Sequence, residues 1–410
     1  MVRIIADLHI HSRFSRATSP QINVAELVRW TTVKGLTLVG TGDATHPLWL
    51  KELKQELEPV QGTGLYKKRG QPASLTWFMV TAEISTVYEE AGKTRKIHHV
   101  LWIPSLEEAE QLCEALRPFG RMDSDGRPTL KMTGAEAAER IFEASKGTLL
   151  VPAHVWTPWF SLFGDRSGFD TVEDCYEEHS SKIHALETGL SSDPSMNWRL
   201  SILDKYAMIS NSDSHSLWPW RLGREACVFD LERVSFDGII SSLKDRDPAR
   251  FRGTIEVDPA YGKYHWTGHH RCGLSLPSEV AISVHNICPK CGKRLAKGVD
   301  QRVSELADRP KGFRPVNAQV FVHLLPLHEV LATALGSNGP NSAAVWSTYN
   351  KLIEVFGNEF KVLLTAPYEV LATEVGKAVA VDIMRNREGR IEVVPGYDGV
   401  YGHALPLKAS

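Results

Sequence analysis

The stretch Val2-Arg3-Ile4-Ile5-Ala6-Asp7-Leu8-His9-Ile10-His11 decides how the rest of the chain is read. Its first half is a short apolar run rich in isoleucine and valine, the mark of a buried strand. Its second half, Asp7-x-His9-x-His11, places metal-type side chains directly after that strand. Where extended geometry persists, residues two apart point the same way, so His9 and His11 can chelate one ion cluster. The same pairing of strand and ligand recurs downstream. Residues 36–40 lead into Gly42-Asp43-Ala44-Thr45-His46, residues 77–82 into Glu83, residues 149–152 into His154, and residues 207–210 into Asn211-Ser212-Asp213-Ser214-His215. His98 and His99 instead open the run 100–103. Alternation turns one of this adjacent pair away, and His99 is taken as the ligand.

Amphipathic stretches at 24–33, 135–144 and 196–205 lie between several of these runs, with a further strand at 185–187. Such alternation predicts an α/β fold with right-handed crossovers and a parallel sheet, open or closed into a barrel. Either form puts its active site at the carboxyl ends of the strands, where these ligands fall. Imidazole and carboxylate without thiolate suit zinc, manganese or iron in a hydrolytic site. Asp7 is also a candidate for fixing a histidine tautomer.

At 410 residues the chain allows two or three domains. An apolar share of 42% and a charged share of 23% exclude a disordered, fibrous or membrane-embedded protein. No apolar run approaches the roughly 18 residues needed to span a bilayer. The start lacks a signal-like pattern, so no membrane partner and a cytoplasmic location are expected. Lys+Arg 47 against Asp+Glu 49 names no partner, whereas 16 His beside 6 Cys points to metal chemistry more than to a disulfide scaffold.

A second motif pairs His269-His270-Arg271-Cys272-Gly273 with Cys288-Pro289-Lys290-Cys291-Gly292. Two loops of this type complete a tetrahedral Cys3His zinc site, read as His269, Cys272, Cys288 and Cys291, with His265 and His270 as the other histidine choices. Its filled shell makes it structural. Residues 260–315 carry ten Lys/Arg against four Asp/Glu, a local +6 that the near-neutral total conceals. Arg271, Lys290, Lys293, Arg294, Lys311 and Arg314 are therefore candidate DNA contacts. Several tryptophans lie near the proposed ligands, and Trp156 and Trp218 are candidates for stacking on an extracted base. After Pro315 helices are expected at 326–335, 343–356 and 365–383, with an Asn338-Gly339-Pro340 turn and a short β-rich tail at 390–403.

Residues 1–230 resemble the PHP family, the polymerase and histidinol phosphatase domain. The resemblance rests on Asp7-Leu8-His9-Ile10-His11, Asp43 to His46, Glu83, His99, His154 and Asp213-Ser214-His215. It implies a distorted β/α barrel holding two or three divalent ions (zinc, manganese or magnesium) that activate water for phosphoester hydrolysis. Two departures stand out. The family's T-D-H is replaced by Asp43-Ala44-Thr45-His46, leaving the ligand open between Asp43 and His46. A histidine common after the first pair is replaced by Ser12-Arg13-Phe14-Ser15-Arg16, where Arg16 is a candidate phosphate clamp. Asp213 is the other candidate catalytic residue.

The whole order is similar to the endonuclease Q family of DNA repair enzymes. It runs PHP-type domain at 1–250, zinc ribbon at 251–300 and helical C-terminal domain at 301–410. That resemblance implies cleavage of damaged DNA on the 5′ side of deaminated bases (hypoxanthine, uracil, xanthine) and abasic sites. The rival readings are a small-molecule phosphatase of the histidinol-phosphatase type and a non-catalytic DNA-binding accessory protein.

Overall fold

Val2–Asp7 forms the first strand, β1, flanked by β2 (Leu38–Gly40) on one side in parallel. The computed structural model describes residues 1–72, 76–337 and 339–405; Asn338 of the expected turn lies outside them. The chain continues through β3 (Leu57–Val60), β4 (Leu65–Lys68), β5 (Trp77–Glu90), β6 (Lys93–Ile103), β7 (Thr129–Leu130) and β8 (Leu149–Pro152). Then come β9 (Ala185–Glu187), β10 (Ala207–Ile209), β11 (Ala226–Leu231) and β12 (Phe251–Glu256).

The sheet is mixed, not parallel as the alternation predicts. β1 pairs with β11 antiparallel, β11 with β12 antiparallel, and β5 with β6 antiparallel. The cause at β5–β6 is local. Ala91 and Gly92 both take positive φ (50° and 75°), the conformation of a tight hairpin turn. Residues 77–82 and 100–103 therefore extend into one long hairpin of 14 and 11 residues.

Buried side chains from the whole circuit meet in a single cluster. Ile4 and Ala6, Leu38, Met79, Val100 and Trp102, Leu149 and Val151, Ala185, Ile209, and Cys227 and Phe229 all belong to it. Strands that share one interior in this way have closed on themselves. The closure is irregular, since β9 and β10 form a separate parallel pair, joined beyond β8 through the Val155 amide and the Glu187 carbonyl at 2.9 Å. This is a distorted β/α barrel. Its outer helices follow from their caps: Asn23 accepts from the Glu26 amide to start Val24–Lys34, and Thr133 with Glu136 forms a capping box before Gly134–Ala144. The expected helix at 196–205 is reduced to Pro194–Asn197 and a short turn at Ser201–Leu203.

After the barrel, β13 (Thr267–His269) and β14 (Leu274–Leu276) form the small ribbon hairpin. Strand β15 (Phe321–His323) returns to pair in parallel with β12 at the edge of the main sheet. Among the described residues five helices follow, from Leu327–Ala334 to Lys377–Arg387. The expected helix at 365–383 is two, Tyr368–Val375 and Lys377–Arg387, broken where Gly376 takes φ 84°. Among the described residues, no helix is long and apolar enough to cross a membrane.

The helical region is joined to the barrel by a fully buried ion pair. Lys34 Nζ donates to Glu359 Oε1 and to the Pro219 carbonyl, each at 2.7 Å. Glu359 also accepts from Tyr349 Oη at 2.9 Å and from the Leu327 amide at 3.0 Å. Removing one partner leaves the other as an unpaired buried charge. Lys34→Met is expected to lower the unfolding free energy by about 3–5 kcal/mol, measured by denaturant titration. Lys34→Met with Glu359→Gln should recover most of that loss, because glutamine still accepts from Tyr349 and Leu327 without a charge.

Candidate metal centre

Glu83, on β5, is the carboxylate around which the strand ends converge. Its Oε2 lies 3.2 Å from His11 Nε2 and 3.5 Å from His9 Nε2. Asp213 Oδ1 is 3.1 Å from His11 Nε2 and 3.6 Å from His9 Nε2. The other oxygen, Oε1, lies 2.8 Å from His98 Nδ1 and 3.4 Å from His154 Nε2. Two donor groups thus share one carboxylate: His9, His11, Glu83 and Asp213, and Glu83, His98 and His154. Within each group the ligand atoms lie within 4.8 Å of one another. His9 Nε2, 3.5 Å from Glu83 and 3.6 Å from Asp213, is buried without a hydrogen-bond partner, which fits an atom directed at a cation.

Electrostatics point the same way. Burial opposes charge on His9, His11, Glu83 and Asp213, yet carboxylates around His9 and His11 hold both imidazoles well above their ordinary range. Against the same burial, His98, Arg127 and His9 hold Glu83 low, while His11, His9 and His215 hold Asp213 low. Packed anions and imidazoles of this kind are the donor set of a hard to borderline divalent cation.

An outer layer fixes the ring orientations. Glu187, at the end of β9, lies 2.9 Å from His9 Nδ1 and accepts from the His154 amide at 3.0 Å and Asn211 Nδ2 at 2.9 Å. Asp43 lies 2.9 Å from His11 Nδ1 and is itself held by the Ser12 amide and hydroxyl, both at 2.7 Å. These contacts leave Nε2 of each histidine facing Glu83. Asp7 accepts from the amides of Ser212 (3.0 Å) and Gly223 (2.8 Å), and burial pushes its carboxyl up to about 6. Asp43, His154 and Asp213 all take positive φ (48°, 29° and 47°), a strained backbone that the surrounding contacts impose.

Several expectations change. His98, not His99, faces the cluster. In the β5–β6 register Ser85 opposes His98 and Ile84 opposes His99. Opposed residues share a face, so His98 lies on the side of Glu83, two residues from Ser85. His99 points the other way, bonded to Thr86 Oγ1 at 2.9 Å and Tyr176 Oη at 2.7 Å. Asp43 supports His11 and is not in either donor group. His46 is outside both, acting as the N-cap of Pro47–Glu56 and stacking on Phe14 at 4.5 Å. His215 borders the first group, its ring 4.4 Å from that of His11, with Nδ1 3.0 Å from the Asp213 carbonyl oxygen. Arg16 is 82% exposed and ion-paired with Asp125 at 3.4 Å, outside both donor groups. Trp156 is buried, donating to Asn197 Oδ1 at 2.8 Å, so no base can stack on it. Trp218 is 42% exposed and stacked on Trp220 at 5.1 Å.

Two participants escape the sequence reading. Glu187 had a usable signal, a carboxylate at a strand end. Arg127, whose Nη1 is 3.1 Å from Glu83 Oε2, had none, since it comes from a loop with no motif.

The second cluster forms as the spacing predicts. Ligand atoms of His269, Cys272, Cys288 and Cys291 lie within 4.8 Å of one another. Gly273 and Gly292 turn the two loops back at φ 56° and 71°. His270 is excluded, since it bonds Asp398 at 2.8 Å. Arg271, Lys290, Lys293 and Arg294 are exposed around this cluster, and Lys311 and Arg314 are exposed on the segment beyond it. Lys290 also braces the ribbon, donating to the Cys272 carbonyl at 2.8 Å.

Known proteins share this arrangement over its full length. Residues 326–390 match the family model of the MJ0043 C-terminal domain. The uncharacterized protein YqxK of Bacillus subtilis is 31% identical over 99% of this chain and 100% of its own. The crystal structure of the lesion-specific endonuclease PfuEndoQ from Pyrococcus furiosus superposes with a TM-score of 0.86. It is 34% identical and covers 98% of this chain and 95% of its own. The chain belongs to the endonuclease Q family. A second endonuclease Q structure, in complex with a 27-mer duplex substrate bearing an abasic lesion at the active site, gives the same TM-score. It is 35% identical over 98% of this chain and 96% of that one. As an endonuclease Q protein the chain is a phosphodiester hydrolase, and the Glu83-centred donor set lies where such a barrel acts.

The register assignment of the adjacent histidines is directly testable. His98→Ala is expected to weaken manganese binding, measured by calorimetry, whereas His99→Ala should leave binding intact and lower thermal stability instead. Cys288→Ala should remove one equivalent of zinc by metal analysis and lower the melting temperature, because ribbon folding is coupled to metal binding.

Proposed function

We propose that this protein is a lesion-specific DNA endonuclease that hydrolyses the phosphodiester 5′ to deaminated bases (hypoxanthine, uracil or xanthine) and abasic sites. The observation that carries the reading is the buried Glu83 carboxylate shared between two donor groups, in a chain of endonuclease Q type. His9, His11, Glu83, His98, His154 and Asp213 are assigned to hold two or three divalent cations (zinc, manganese or magnesium). When bound, such ions supply activated water and neutralise charge on the phosphate. Glu187 and Asp43 keep His9 and His11 in the tautomer that presents Nε2. The 3′ oxygen leaves, and the lesion remains on a 5′-phosphate end.

The remaining regions are assigned to substrate handling. Residues 1–250 carry the chemistry, 251–300 the structural zinc held by His269, Cys272, Cys288 and Cys291, and 301–410 further DNA contact. Arg271, Lys290, Lys293, Arg294, Lys311 and Arg314 are assigned to backbone phosphates, so affinity should fall as salt rises. Trp218, part-exposed beside Trp220, is assigned to stack on a displaced base.

Purified protein with manganese, zinc or magnesium is expected to nick a duplex carrying one deoxyuridine or deoxyinosine and to spare its undamaged twin, read on a sequencing gel. Asp213→Ala should abolish nicking, and Glu187→Gln should cost roughly 10–100-fold. Equal cutting of both duplexes, turnover of small phosphomonoesters alone, or salt-dependent DNA binding without turnover would overturn the assignment.

A further inference from the structure

Glu83 Oε2 has a neighbour that cation binding does not explain. Arg127 Nη1 lies 3.1 Å from the same oxygen that faces His9 and His11. The guanidinium is otherwise without a hydrogen bond among the described residues, and the side chain is 23% exposed, so its outer edge is open to a ligand.

The loop carrying Arg127 is built to hold it there. Gly126 lies so close to the support of His11 that a Cβ would sit 2.2 Å from Asp43 Oδ2 and 2.3 Å from Ser15 Oγ. The Gly126 amide donates to the Phe14 carbonyl at 3.0 Å. The Arg127 amide donates to Asp125 Oδ1 at 3.2 Å, and beyond Arg127 the Pro128 carbonyl accepts from the Ser85 amide at 2.9 Å. The backbone is thus pinned on both sides of the arginine, against the loop after β1 and against β5.

Glu83 lies between the guanidinium and the cation site, but it meets only Nη1 of the fork and is shared with the cations, so a filled site still repels Arg127 unless a second anion joins them. The anion must offer one oxygen to the metal side and another to a planar donor fork. A phosphodiester has two non-bridging oxygens in that relation, and both gain charge as water attacks phosphorus. We propose that Arg127 is a catalytic residue that donates to a non-bridging oxygen of the scissile phosphodiester and stabilises its transition state. It keeps its proton throughout. The inference rests on the phosphodiesterase reading of the Glu83 site and adds the group that binds the phosphate.

The test compares wild type with Arg127→Lys, Arg127→Met and Arg127→Ala. Each is assayed by single-turnover cleavage of a deoxyuridine duplex, by binding to that duplex, and by manganese titration. Arg127→Met should cut the rate by roughly 100- to 1,000-fold, the scale of losing one donor to a developing oxyanion. Manganese should bind Arg127→Met as tightly as wild type or more tightly, since a repelling charge has gone. Arg127→Lys should be intermediate, having charge without the fork. Free guanidinium should restore part of the Arg127→Ala rate and do nothing for wild type. The inference fails if the variants cleave at the wild-type rate. It fails equally if their loss tracks weaker manganese binding, is cured by excess manganese and is not rescued by guanidinium, because Arg127 then only braces Glu83. A wild-type protein that nicks no lesion would instead sink the functional reading itself.

Discussion

One buried carboxylate sets the terms for the catalytic end of this barrel. Glu83 is buried, and each of its oxygens faces a different set of imidazoles. A group so placed is stable only with compensating charge, and the fold supplies it from several strand ends at once. The long β5–β6 hairpin delivers His98, the loop after β1 delivers His9 and His11, and the turn after β8 delivers His154. Their strained backbones at His154, Asp213 and Asp43 show what convergence demands locally: φ values that non-glycine residues rarely adopt. Compensation continues outward, with Glu187 behind His9 and Asp43 behind His11, so that imidazole and carboxylate alternate through two layers.

The two metal-type clusters are kept apart by chemistry as well as by distance along the chain. The barrel cluster has imidazole and carboxylate only, while the ribbon cluster has three thiols and one imidazole. Soft thiolates close a tetrahedral shell and favour zinc; oxygen and nitrogen donors shared across a carboxylate leave room for water and substrate. One chain can therefore hold a fold-stabilising ion and reactive ions without exchanging their roles.

Much of this was legible in the linear order of residues, for identifiable reasons. His9, His11, His154 and Asp213 follow β runs, and position after a strand is a property that hydrophobic patterning reveals; Glu83 follows the apolar stretch 77–82, although β5 continues past it to Glu90. The ribbon was legible because ligand spacing within each loop is covalent. His98 was not, since the phase of a strand relative to its neighbour depends on pairing register, which the turn at Ala91 and Gly92 sets from a distance. Arg127 and the supporting role of Asp43 were hidden for a related reason: both are defined by contacts between segments far apart in sequence. Trp156 shows the opposite failure, proximity to a ligand along the chain without exposure in space. The mixed sheet was missed because alternation of strands and helices reports crossovers and is silent about hairpins.

The Lys34–Glu359 pair has a reach beyond the stability it confers. Lys34 also holds the Pro219 carbonyl, in the loop that runs from His215 through the stacked Trp218 and Trp220 to the Gly223 amide on Asp7. The helical region is thereby tethered, through this ammonium group and through Trp346 and His328 packed on Trp218 and Trp220, to the segment that follows the cluster ligand Asp213. It is not a portable module. A graft of residues 326–390 onto another barrel would need a lysine at the matching helix end, and a barrel deprived of them would lose the anchor of its own metal-site loop.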